Sequence, residues 1–161
     1  MYIRNLLCMT LFCLSLDLFA ADAEPITLAT ESAEAWLELV DDGKYGESWD
    51  AGSTLLQTAT TRDAWENVNM ERMRAPYRLA SRRMGTPQIT TSFQGLPGGE
   101  YVVLKYASKF RPARRNLKSR DISSSGPTEM VETVVLGKEA DGAWKVSFYM
   151  MSPGVLRPAN P

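Results

Sequence analysis

Glu132 is the residue of this sequence best placed for acid–base chemistry. Met130 and Val134, two positions away on either side, are apolar, which predicts that all three side chains share the inward side of a strand. The opposite alternation, starting at Val131, is almost as apolar, so an outward Glu132 remains an open alternative. A carboxylate in an apolar cavity can act as a general acid or base when burial and neighbouring groups tune its pKa. The tyrosines on the neighbouring predicted strands are Tyr101, Tyr106 and Tyr149.

An inward Glu132 also has a purely structural interpretation. A buried carboxylate needs a cationic partner whether or not it is catalytic, and Arg82 or Arg83 would supply one. The chain contains no histidine, which excludes Ser-His-Asp and Cys-His nucleophile systems and histidine-ligated zinc. Gly-rich phosphate loops and metal-ligand clusters are absent from the sequence as well, so we expect no cofactor and no metal.

The charges are unevenly distributed along the chain. Residues 24–71 hold 11 acidic and 2 basic groups, whereas residues 72–120 hold 12 basic groups and one acid, Glu100. The most basic part lies in a predicted loop, residues 110–128, where clustered cations could capture an anionic envelope component or an acidic protein. Ordinary surface ion pairs between the two halves are the alternative. The candidate binding residues of this loop are Arg111, Arg114, Arg115, Lys118 and Arg120.

The first predicted helix carries an acidic group of residues, Glu34, Glu38, Asp41 and Asp42. The last three crowd its C-terminal end, where the helix dipole disfavours anions, so we expect a cation nearby. Glu34 and Glu38 also form a like-charged pair one turn apart. An acidic helix face of this kind suggests an immunity or inhibitor protein that blocks a secreted enzyme.

The N-terminal residues 1–23 have the pattern of a secretory signal peptide. Arg4 precedes an apolar run from Leu6 to Leu16, and small residues end at Ala23. The run is too short for a membrane span. We therefore expect cleavage near Ala23 and a bacterial periplasmic or secreted protein that retains no cysteine. Nucleic acid would fit the charge but not this compartment.

The rest of the chain reads as helices followed by strands. The first predicted helix has Thr30 as a candidate N-cap and Gly43 as a candidate end. A second helical stretch lies near Tyr45, and a third starts at Thr60. The third helix carries Trp65, Val68 and Met73 inward, and Pro76 ends the helical part of the chain. From Leu79 the apolar period becomes two, with turns at residues 96–99 and 141–142. This order predicts an α+β domain over residues 24–152, with N-terminal helices packed on a curved antiparallel sheet of about four strands. Residues 153–161 form a Pro-rich tail.

Five short motifs carry a family resemblance. They are Ala35–Trp49, Ser81-Arg82, Leu96–Leu104, Val131–Val134 and Gly142–Val146. In order and spacing they resemble a secreted bacterial family, domain of unknown function 4019. The resemblance implies a small exported domain similar to NTF2-like or cystatin-like folds, with no assigned activity and no catalytic residues to transfer. The basic segment 110–128 is longer than this family leads us to expect.

Together these features predict an exported, non-enzymatic binding or accessory module that contacts an anionic partner through its basic loop. Two alternatives stay open. One is a small-ligand carrier or cavity enzyme that uses Glu132 and the sheet tyrosines. The other is an immunity or inhibitor protein that acts through its acidic helix.

Overall fold

Helices and an antiparallel sheet make up the part of the chain that the computed structural model describes, residues 16–113 and 128–156. The helical elements are α1 (Leu16–Asp41), α2 (Tyr45–Asp50), α3 (Thr54–Ala59), α4 (Arg62–Ala64), a π-helical turn (Trp65–Met70) and α5 (Glu71–Met73). The strands are β1 (Tyr77–Met84), β2 (Gln88–Thr90), β3 (Tyr101–Pro112), β4 (Thr128–Lys138) and β5 (Trp144–Pro153). The predicted α+β class is confirmed.

Helix α1 begins earlier than the sequence pattern indicates. It starts at Leu16, and Thr30 lies inside it instead of capping it, because the preceding alanine-rich stretch continues the helix. Its end agrees with the prediction: Gly43 has φ +77°, and its N–H donates to the carbonyl of Val40 while the N–H of Lys44 donates to that of Leu39. This pair of bonds is a Schellman motif, which fixes where α1 stops.

The remaining helices differ from the prediction in their details. The second predicted stretch is divided into α2 and α3, and the Ser53 hydroxyl caps α3 by accepting from the N–H of Leu56. The third begins after Thr61, one residue later than expected. Val68, expected inside, is 44% exposed, while Met70 is fully buried, because the wider π-helical turn changes which side chains face the sheet.

The sheet has five strands, close to the predicted number of about four. Its order is β1-β3-β4-β5, and β2 also pairs with β3. Strands β1 and β2 lie end to end along the same edge of β3, with β1 opposite residues 106–112 and β2 opposite residues 101–103. Pro87, which has no N–H to donate, stands in the break between them. This arrangement is compatible with NTF2-like and cystatin-like folds.

The two sides of the sheet differ in what covers them. The helix-facing side packs against α1, α2 and the π-helical turn, and it contains most of the core. The outer side carries a smaller cluster of Tyr101, Val103 and Val135, packed against Leu55, Phe93, Leu96 and Phe148. Trp36, Trp65 and Trp144 are buried in the main core and Trp49 packs against it, as their apolar stripes predict.

Residues 154–156 follow β5. Leu156 packs against Gly85 at the junction of β1 and β2, where a larger residue would collide with it. Tail residues 157–161 lie outside the described part of the chain. Within that part, we find no helix with the length and apolar character required to cross a membrane.

Candidate functional site

Glu132 lies in the middle of β4 with its side chain toward the helices. It stands opposite Tyr106 of β3 and Met151 of β5, and it is 0% exposed. Of the two alternations that the sequence left open for this residue, the structure therefore has the inward one.

Four hydrogen bonds reach the Glu132 carboxylate. Arg82 donates from Nε to Oε2 at 2.7 Å and from Nη2 to Oε1 at 3.0 Å. The hydroxyl of Tyr149 donates to Oε1 at 2.7 Å, and that of Ser108 donates to Oε2. A carboxylate has about four lone-pair positions, so these donors occupy them all.

Arg82 connects Glu132 to Asp41, the last residue of α1. Its Nη1 donates to Asp41 Oδ2 at 2.7 Å and its Nη2 to Oδ1 at 3.1 Å. Arg74 adds a bond from Nη2 to Asp41 Oδ1 at 2.6 Å. These two arginines are the cations expected near the acidic end of the first helix.

Arg74 is almost completely buried, with 1% of its side chain exposed. Its Nη1 donates to the carbonyl oxygen of Tyr77 at 2.7 Å, and its guanidinium lies 4.9 Å from the centre of the Phe110 ring. Arg74 belongs to the basic half of the chain but was not among the candidate site residues expected from the sequence. The last turn of α1 contains no cation of its own, and this could have indicated that a basic residue from another element lies beside Asp41.

A β-bulge places Arg82 in the network. Leu79 stands opposite Phe110 and Arg82 opposite Ser108, so both face the helices although they are three residues apart. Regular alternation would turn one of them outward, and the extra residue Ala80 corrects this. Arg83, the other predicted partner of Glu132, consequently lies on the outer side.

The network shifts the pKa values of Arg82 and Tyr149. Burial opposes the charge of Arg82, but hydrogen bonds to Glu132 and Asp41 outweigh it and raise its pKa. Burial, followed by the neighbouring Glu132, raises the pKa of Tyr149 well above its ordinary value, so this hydroxyl stays a donor. Glu132 thus has the geometry of a structural ion pair, with no oxygen open to a substrate.

The three candidate tyrosines do not form one set. Tyr149 contacts Glu132, and Tyr106 lies on the same side of the sheet. Tyr101 was expected with them but is on the outer side, where its hydroxyl donates to the carbonyl of Pro97 at 2.7 Å. An odd separation along β3 puts Tyr101 and Tyr106 on opposite sides.

The acidic residues of the first helix also separate. Asp41 belongs to the buried network, and Asp42 pairs with Lys44 at 3.1 Å. Glu34 and Glu38 are exposed and line a cleft of about 280 Å³ beside β1 and β3.

Of the predicted basic-loop residues, Arg111 is in the described part of the chain. It is exposed on the outer side of β3, so the segment predicted as loop from residue 110 begins as strand. Four further cations lie on the same side of β1 and β3, and strand alternation could have identified them: Arg78, Arg83, Lys105 and Lys109. The other predicted binding residues, Arg114, Arg115, Lys118 and Arg120, lie outside the described residues.

Residues 16–113 and 128–156 contain no group of three or more acidic, cysteine or histidine side chains placed to hold a metal ion.

Comparison with known proteins gives one family. A family model described as "Protein of unknown function (DUF4019)" matches residues 32–122, which include Asp41, Arg74 and Arg82. No curated protein matches the chain. The family match covers more than half of the sequence and confirms the resemblance of the motifs. The chain belongs to the DUF4019 family, whose function is unknown.

Proposed function

We propose that this protein is an exported, non-enzymatic binding module that contacts an anionic component of the cell envelope. The observation that carries the proposal is a group of exposed cations on the outer side of β1 and β3, here called the basic face. Its members are Arg78, Arg83, Lys105, Lys109 and Arg111.

The cations of the basic face are close neighbours in the sheet. Arg78 and Arg111 stand directly opposite each other on β1 and β3, an arrangement of like charges that costs stability unless an anion screens it. Glu129 pairs with Lys109 at 3.2 Å and is the only carboxylate among the described residues within 4 Å of the group. The excess of positive charge favours an anionic partner.

The basic face also has a concave part. A cleft of about 380 Å³ lies between β1, β3 and the residues after β5, with Arg83, Lys109 and Gly154 in its lining. The exposed cations and the cleft thus lie on the same surface, so charge and shape both favour it as a binding site.

The state of Glu132 supports a non-enzymatic role. A cavity enzyme or carrier that acts through Glu132 would need this carboxylate to be open to a ligand. All four lone-pair positions of Glu132 are used by Arg82, Tyr149 and Ser108.

Export is part of the same proposal. Cleavage after Ala23 would leave Pro25 as the second residue of the mature chain, in the first turn of α1. Proline has no N–H to donate, and the first turn is where a helix tolerates it best. In the longer helix the same proline is an interior residue, which costs stability. The predicted signal peptide and the position of Pro25 together favour a periplasmic or secreted mature protein.

A vesicle assay tests the binding proposal. The mature chain, residues 24–161, is sedimented with vesicles of phosphatidylglycerol and phosphatidylcholine. In parallel, its binding in solution to poly-glutamate, a non-lipid polyanion, is measured. We expect binding to at least one polyanion that weakens as salt is raised from about 0.05 to about 0.3 M, because salt screens exposed charges.

The decisive comparison uses two variants of equal charge. Arg83→Gln/Lys105→Gln/Arg111→Gln removes three cations of the basic face, whereas Lys44→Gln/Arg72→Gln/Lys145→Gln removes three exposed cations elsewhere. Loss of binding in the first variant alone supports the basic face. Equal binding by both variants, or no binding of the native chain to either polyanion, contradicts it.

A further inference from the structure

A second surface, on the other side of the sheet, has the opposite charge. It is the cleft of about 280 Å³ between α1 and the β1–β3 edge, here called the acidic cleft. Its lining residues are Glu34, Leu37, Glu38, Arg82, Met84 and Tyr106.

The acidic cleft lacks a balancing cation of its own. Glu34 and Glu38 lie one turn apart on α1, are exposed, and form no ion pair with any described residue. Like charges at this spacing destabilise a helix. Arg82 does not neutralise them, because its guanidinium is already shared between Asp41 and Glu132.

Tyr106 supplies an independent sign of a ligand. The residue is 2% exposed, and its hydroxyl is buried without a hydrogen-bonding partner among the described residues. A buried hydroxyl without a partner is unfavourable and calls for an explanation, and completion by a bound group is one that fits a residue lining a cleft. Burial, and then the nearby Glu34, raises the pKa of Tyr106 to about 12, which keeps the hydroxyl neutral and able to accept a hydrogen bond.

The remaining walls of the cleft are apolar. Leu37 forms part of its floor, and Met84 is 39% exposed beside it. The matching ligand therefore has an apolar stem and a cationic head with several N–H donors.

We propose that the acidic cleft binds a lysine or arginine side chain of a partner protein. The cationic head donates to Glu34, Glu38 and the Tyr106 hydroxyl, while its methylene stem packs on Leu37 and Met84. This inference stands apart from the anionic partner proposed for the basic face, since the two surfaces lie on opposite sides of the sheet.

A titration followed by NMR tests the proposal with a defined probe. Nα-acetyl-lysine amide presents the lysine side chain, and Nα,Nε-diacetyl-lysine amide presents the same stem without the charge. We expect the first to shift the methyl signals of Leu37 and Met84 with a dissociation constant roughly in the millimolar range, and the second to bind at least tenfold more weakly. Equal binding of the two probes, or no saturable shift with the charged one, overturns the proposal.

Two variants with matched net charge locate the site. Glu34→Gln/Glu38→Gln should weaken binding of the charged probe at least tenfold, whereas Glu47→Gln/Glu71→Gln, at exposed positions outside the cleft, should leave it within twofold. Tyr106→Phe should weaken binding several-fold while the fold is kept. Unchanged affinity in the Glu34/Glu38 variant, with its spectrum otherwise native, contradicts the assignment.

Discussion

The two tyrosines on the helix-facing side of the sheet give a sharp test of the buried network. Tyr149→Phe and Tyr106→Phe each remove one buried hydroxyl and leave the aromatic ring in place. The Tyr149 hydroxyl donates to Glu132 at 2.7 Å, whereas the Tyr106 hydroxyl has no partner among the described residues. The same chemical change should therefore have different energetic consequences.

The expected magnitudes follow from these contacts. A hydrogen bond to a charged group contributes about 1.5–3 kcal/mol, so Tyr149→Phe should lower the free energy of unfolding by that amount. Its ring remains packed edge-on against Trp36 at 5.1 Å between centroids, which limits other losses. Tyr106→Phe removes an unsatisfied group, so the free energy of unfolding should change by less than about 0.5 kcal/mol or increase slightly.

Urea unfolding of the mature chain, followed by the fluorescence of its four tryptophans, measures both free energies. Similar m-values for the native chain and the two variants would show that the comparison concerns stability alone. Equal losses in the two variants, or a larger loss in Tyr106→Phe, would refute the hydrogen-bonding pattern described for Glu132.

Other perturbations of the same framework have distinct expected outcomes. Glu132→Gln should lower the free energy of unfolding by about 3–5 kcal/mol in urea, because it leaves the buried charge of Arg82 incompletely paired. Deletion of Ala80 should remove the β-bulge but leave Leu79 and Arg82, then two residues apart, both facing the helices, so a cooperative thermal transition should be retained. Gly43→Ala should cost about 1 kcal/mol in urea unfolding, because φ is +77° there, although the space around the position is open. The pKa of Tyr106 is raised to about 12 from an ordinary value of 10.0, so its unfolded form loses the proton first. The contribution of the neutral Tyr106 hydroxyl to the free energy of unfolding is complete below pH 10 and is lost as the pH rises toward 12. Urea titrations across this range should therefore show the free energy of unfolding falling with pH.

Local patterns of the sequence predicted much of the fold because short-range physics determines them. Gly43 ends α1 through a left-handed residue, and the alternation of polar and apolar residues in β3 from Leu104 onward indicates which side chains face inward. The predicted start of α1 was wrong. A possible N-cap at Thr30 does not prevent the helix from extending toward the N-terminus when the preceding alanine-rich sequence also favours helix. The sequence did not indicate that β1 and β2 share one edge of β3, because this is a property of pairing and not of either segment.

The candidate site was predictable in part for the same reason. The need for a basic partner follows from the cost of a buried charge, but alternation left the direction of Glu132 open because both sides of β4 are largely apolar. The choice between Arg82 and Arg83 depends on the bulge at Ala80, and nothing in the residue types of that stretch signals a bulge. The role of Arg74 depends on the distance between α5 and the end of α1, which only the assembled fold determines.

The bulge at Ala80 has a consequence for both proposed surfaces. Consecutive residues of β1 serve opposite sides: Arg82 anchors Asp41 and Glu132 beneath the acidic cleft, and Arg83 belongs to the basic face. A change of one residue in the register of β1 would exchange them, burying an unpaired arginine and leaving Glu132 without its partner. Because that exchange is costly, the network holds the β1 register, and with it the separation of negative and positive charge on the two sides of the sheet. The buried ion pairs thus fix which side of the sheet carries each charge, and this structural role accounts for the full occupation of the Glu132 carboxylate.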